Sequence, residues 1–151
     1  MRVVYRVIAY VIAAEVVLQA SFMAYAVFGL GKWIDDGGVL DSAVIESDKM
    51  AFDEEVGFML HGINGQMVIP ALALIFLIVS FFAKVKGGVL YAVMALVWVA
   101  VQITLGLSGH EIPVLGLFHG IVAFALFGTA FMAGVRAKRP ALAPVGGDAA
   151  L

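Results

Sequence analysis

Residues 56–83 read VGFMLHGINGQMVIPALALIFLIVSFFA, and no side chain in the stretch carries a formal charge at neutral pH if His61 is neutral. Asp53, Glu54 and Glu55 precede it and Lys84 follows it. An apolar run of this length, charged only at its ends, is a helix that crosses the ~30 Å of a bilayer's hydrocarbon. Three more such runs occur, at 7–30, 89–107 and 114–135. Each reaches or approaches the ~20 residues a crossing needs. A lone chain with four long runs cannot close a barrel, so the spans are helices. Composition agrees: 64% of the 151 residues are hydrophobic, against about 45–50% in a soluble domain, and mean hydropathy is +1.08.

The basic residues set direction. Arg2 and Arg6 precede the first span, Lys84 and Lys86 lie between the second and third, and Arg136, Lys138 and Arg139 follow the fourth. Four crossings put all of these on one side, which the positive-inside rule makes the cytoplasm. The outer loop, 31–55, carries Asp35, Asp36, Asp41, Glu46, Asp48, Asp53, Glu54 and Glu55 against Lys32 and Lys49. The expected fold is therefore all-α, an up-down-up-down four-helix bundle in the plasma membrane with both termini cytoplasmic. Residues 1–136 form the transmembrane domain and 137–151, with Pro140, Pro144 and Gly146-Gly147, a disordered tail. Ala24-Tyr25-Ala26 resembles a signal-peptidase site, but Glu15 within the apolar stretch, the length of the run and the even helix count favour a retained span.

Several function classes fall away. No basic stripe or aromatic-basic interleaving suggests nucleic acid. The absence of cysteine excludes disulfides, thiolate metal sites, iron–sulfur clusters and thioether-attached haem.

Polar residues inside the spans mark where function is concentrated. His61 sits about five residues into the second span and His119 about six into the fourth. Both spans run inward, so at 1.5 Å per residue both imidazoles lie roughly 7–9 Å below the outer edge. In an up-down-up-down bundle these spans are diagonal, with axes roughly 11–14 Å apart across the diagonal. Two histidines facing each other there leave room for a flat macrocycle edge-on between them. Gly57 and Gly65 lie about a turn either side of His61, Gly116 and Ala123 about a turn either side of His119. Small residues at those places leave space for a porphyrin; they also let transmembrane helices pack closely. The competing account of the histidines is polar glue, each hydrogen-bonding a neighbouring helix.

Gln102 lies at a similar depth on the third span, and Gln19 somewhat deeper on the first. Glu15 is one turn from Gln19 on the same face. It is either a neutral acid bonded to Gln19 or Gln66, or a proton-relay or quinone-side group. His110 and Glu111 occupy the outer turn; His110 is solvated, meets a haem propionate, or joins His61 and His119 in an outer-face divalent-metal site. Pro70 is expected to kink the second span. Met59 and Met67 are apolar filler before they are iron ligands.

The two hairpins echo each other. Val16-Val17-Leu18-Gln19 parallels Val99-Ala100-Val101-Gln102, and Leu60-His61-Gly62-Ile63 parallels Phe118-His119-Gly120-Ile121. Gln102-Ile103-Thr104-Leu105-Gly106, a short turn with Pro113, then His119 resembles half of a haem A synthase. The chain is also similar to a small four-helix bacterial membrane family of unknown function, in the order glutamine, histidine, glutamine, histidine along its spans. The synthase family has two four-helix halves, each with haem-ligating histidines on its second and fourth helices. The resemblance implies that His61 and His119 are axial ligands. This chain has one half, Gly62 follows His61 where the synthases tend to have arginine, and the outer-loop cysteine pair is absent. Haem binding is thus implied and synthase activity is not.

These readings lead to a membrane b-type haem protein, haem b near the outer leaflet, exchanging electrons with a quinol or a redox partner protein. Two copies pairing as a homodimer would imitate the eight-helix arrangement. The alternatives are a cofactor-free accessory subunit of a larger membrane complex and the outer-face divalent-metal site.

Overall fold

A computed structural model of the chain describes residues 1–47 and 49–138. The expected tail therefore lies almost wholly outside the described residues. Those described form helices and connecting turns, with no strand among them. Span one is α1 (Arg2–Asp35). A short α2 (Ser42–Ile45) lies in the loop between spans one and two. Span two opens with a 3-10 turn at Asp53–Glu55 and continues as α3 (Val56–Ile63), a π turn (Asn64–Val68) and α4 (Ile69–Ser80). Spans three and four are α5 (Gly88–Ser108) and α6 (Val114–Arg136). All four spans are long and apolar enough to cross a membrane, and the chain is a multi-pass membrane protein.

The spans close a ring. α4 packs on α1 and α5, and α6 packs on α5 and α1. Spans two and four, which carry the histidines, stand opposite each other. The core of this ring is built mainly from small residues: Ala9, Ala73, Ala92, Ala95, Ala130 and Ala133 are fully buried. Lipid tails are as apolar as leucine, so small side chains that let backbones approach, not hydrophobic burial, hold such helices together. Tyr5, fully buried near the start of α1, packs on Phe76 at 4.5 Å and donates its hydroxyl to the Gly88 carbonyl at 3.0 Å. Arg2 donates to the Lys84 carbonyl at 2.8 Å, Arg136 lies over the Tyr91 ring and Lys138 over Tyr10. The basic residues of three segments thus gather at one end of the bundle. The turn there is closed by Gly87, whose φ of +74° is the left-handed conformation glycine adopts at no steric cost.

Away from the basic end the ring loosens. α3 packs on α1, with no comparable contact to α5 or α6. The change comes at the π turn, for which Pro70 supplies a cause. Proline lacks an N–H and its ring crowds the carbonyl four residues back, that of Gln66. The backbone widens instead of only bending, and Ile69 N–H bonds Asn64 O five residues back. The kink expected at Pro70 is taken up by this bulge, the kind of feature that recurs at functional sites.

Helix α1 also continues beyond its apolar run, to Asp35. Its 34 residues measure about 51 Å. Lys32 pairs with Asp36 at that end, Trp33 stacks on Phe52 at 5.8 Å, and Glu54 lies against Gly29, leaving no room there for a Cβ. Asp41 caps α2 through Val44 N–H at 3.0 Å, and Glu55 accepts from Ala51 N–H at 2.6 Å. The acidic loop between spans one and two is a cap tied to α1, and part of its acidic character serves its own backbone.

Candidate functional site

His61 and His119 come together. Their ring centroids are 6.1 Å apart and their planes are inclined by 54°. Each ring is anchored to its neighbouring span: His61 Nδ1 lies 3.2 Å from the Gln19 carbonyl oxygen, and His119 Nδ1 lies 3.0 Å from the Gln102 carbonyl oxygen. A carbonyl oxygen only accepts, so Nδ1 carries a proton on both rings, which in a neutral imidazole leaves the lone pair on Nε2. Metal-ligating histidines are typically oriented in this way, by a backbone carbonyl on the other ring nitrogen. The separation fits as well. With metal–nitrogen bonds of about 2.0–2.1 Å, two imidazoles on opposite sides of one ion have centroids roughly 6.3 Å apart.

The paired sequence segments account for this arrangement. Gln19 and Gln102 occupy equivalent places in the two hairpins, and each main chain holds the histidine that follows it in sequence. Each span therefore contributes one residue to a single layer. Both glutamines also have a buried side-chain oxygen, Oε1, without a hydrogen-bond partner among the described residues. Trp98, one turn from Gln102 on α5, has a buried indole N–H in the same condition. Such groups are costly in a medium without water and are commonly met by a ligand or an ordered water.

Glu15 has a partner the sequence reading did not name. Its Oε2 accepts from Asn64 Nδ2 at 2.9 Å, not from Gln19 or Gln66. Asn64 is buried, 8% exposed, and it opens the π turn. The signal was present in the sequence: asparagine within an apolar span needs a partner.

The glycines divide into two kinds. A Cβ on Gly57 would stand 2.5 Å from the Phe22 carbonyl oxygen, and one on Gly65 would stand 2.5 Å from the Gln19 amide nitrogen. Beside Gly57 the space is filled by α1 backbone, so that glycine serves close packing of spans one and two; beside Gly65 stands the flexible end of the Gln19 side chain. Gly116 and Gly120 have nothing within 4 Å of a Cβ. Gly106 backs His119, whose Cε1 would lie 3.2 Å from a Cβ there. Ala123 is half-buried, one turn beyond His119.

His110 is exposed in the turn between spans three and four. No three His, Cys, Asp or Glu side chains converge among the described residues, so His110 does not join His61 and His119 in one cluster. Met59 and Met67 are 50% and 67% exposed, on the outside of span two. Comparison with family models, curated proteins and solved structures returns no match.

Proposed function

We propose that this protein is an up-down-up-down bundle of the plasma membrane, both termini cytoplasmic, that binds haem b near the outer leaflet and transfers electrons to or from a quinol or a partner protein. The observation that carries the reading is the histidine pair: two imidazoles from opposite spans, 6.1 Å between centroids, each with Nδ1 committed to a main-chain carbonyl and Nε2 free to ligate. His61 and His119 would hold the iron. When bound, haem supplies a one-electron iron couple, and two protein ligands favour electron transfer over oxygen binding because no coordination position stays open.

The chain's own residues do the positioning. Gln19 and Gln102 fix the rings through their backbones, and Gly106 sets how far His119 can lean toward α5. The open side of Gly116 and the loosened contact of α3 with α5 and α6 favour a flat ligand on that side of the layer. The orientation rests on Arg2, Arg6, Lys84, Lys86, Arg136, Lys138 and Arg139, all of which precede, separate or follow spans where the positive-inside rule expects the cytoplasm.

Haem titration into the purified protein tests the reading. One haem per chain is expected for the wild type, and a weakened, five-coordinate complex for His61→Ala or His119→Ala. Equal binding by both variants and the wild type would place haem elsewhere and refute the pair as ligands.

A further inference from the structure

We propose that the seam between α1 and the π turn, at Glu15, Asn64 and Gln19, is the head-group site for a lipid-soluble hydroquinone entering sideways from the bilayer. Choosing a redox-active ligand rests on the haem-binding reading above.

Glu15 is an ionisable side chain inside a span, half-buried, and Asn64 reaches across to hold its Oε2 at 2.9 Å. A carboxyl at this depth is costly and is kept where it has a task. It stands at the edge of the helix interface rather than at its centre. Val11 and Leu18, one turn to either side, are 37% and 43% exposed, and across the seam Val68 is 41% exposed. A ligand dissolved among lipid tails therefore meets Glu15 without passing through water or through the core.

The polar groups at the seam specify the ligand's chemistry. Glu15 offers acceptor oxygens, and one turn along the same helix Gln19 offers a buried Oε1 with no partner among the described residues. Asn64 Nδ2 is already committed to Glu15. The buried atom left without a partner at the seam is thus an acceptor, and it calls for a hydrogen-bond donor. An apolar molecule bearing hydroxyl donors satisfies it; the oxidised quinone, which has carbonyl acceptors only, does not. The same stretch of α1 carries the main-chain carbonyl that holds His61. A hydroquinone at Glu15 would lie about one helical turn, ~5.4 Å along the axis, from the layer that orients the iron ligand.

The experiment is anaerobic equilibrium binding of decylhydroquinone and of decylquinone to the full chain in lipid nanodiscs, with haem content measured on the same samples. The expected result is that the reduced form binds about tenfold more tightly than the oxidised form, the difference made by giving a donor to one otherwise unpartnered buried acceptor. Glu15→Leu should abolish the preference, and Glu15→Gln, which preserves the shape beside Asn64, should reduce it. Equal affinity for the two forms, or a preference unchanged in Glu15→Leu, would overturn the proposal. A wild type with haem and no hydroquinone binding overturns this site and leaves the haem reading standing. A colourless wild type that still prefers the reduced ligand overturns the haem reading and supports the site.

Discussion

Substituting Gly57 with alanine should loosen the histidine layer from a distance. A Cβ at Gly57 would stand 2.5 Å from the Phe22 carbonyl oxygen and 3.0 Å from the Ala26 Cβ, where ordinary contacts begin at 3.4 Å. The nearer obstacle is α1 backbone, so α1 and α3 must part by 3.4 − 2.5 Å, about 0.9 Å. His61 lies one turn further along α3, and its bond to the Gln19 carbonyl is already 3.2 Å long. Separation on this scale takes it past the range of a useful hydrogen bond. Overpacking of this kind costs about 1–3 kcal/mol and loss of the bond about 0.5–1.5 kcal/mol. Alanine's better helix propensity offsets up to about 1 kcal/mol. The net expectation is a loss of about 1–3 kcal/mol, read by reversible unfolding in mixed micelles. Gly116→Ala is the control, because nothing lies within 4 Å of its Cβ; its stability should match the wild type within about 0.5 kcal/mol. If Gly57→Ala and Gly116→Ala prove equally stable, the close approach of α1 and α3 is not what seats His61.

Asn64→Leu should cost about 1–3 kcal/mol by leaving the Glu15 carboxyl without its donor, while the double variant with Glu15→Leu should recover most of the loss; an additive double variant would contradict the pairing, as unfolding measurements on the four proteins would show. A reporter enzyme that is active only outside the cytoplasm should be inactive when fused after Leu151, and activity there would sink the proposed orientation. The acidic loop either docks a cationic partner or is simply solvated; docking requires that changing Asp53, Glu54 and Glu55 to their amides weaken association and flatten its salt dependence, since exposed charges act over a Debye length of ~8 Å at physiological ionic strength, and binding unchanged at low salt would remove docking from the loop's roles.

The spans were legible because lipid imposes a rule on every residue that faces it, so an uncharged stretch such as 56–83 has few readings. The meeting of His61 and His119 was legible for a related reason. Depth in a bilayer can be counted in residues from a charged boundary, and two spans with histidines five and six residues in place them in one layer. Other features depend on neighbours that counting does not supply. Hydropathy marks where the membrane ends but not where a helix ends, and α1 runs on to Asp35 through a loop-side turn held by Lys32–Asp36 and by the Trp33–Phe52 stack. Pro70 announced a distortion, but whether the backbone bends or widens depends on what lies beside it. Gly57 and Gly116 are alike in the sequence; only the position of α1 separates a glycine that admits a neighbouring helix from one that borders open space. Asn64 carries the same signal as Gln19 and Gln102, since an amide in lipid needs a partner as surely as an acid does, but the residue that meets it is set by how α1 lies against span two.

The central claim is tested most directly by the absorption spectrum of the wild-type protein purified from cells supplied with haem, recorded oxidised and after dithionite reduction. A low-spin, six-coordinate spectrum with a reducible Soret band is expected, retained in His110→Ala and lost in both His61→Ala and His119→Ala. A colourless wild type, in which removing either histidine costs only about 1 kcal/mol of stability, would contradict it and leave the two imidazoles as hydrogen-bonded links between spans.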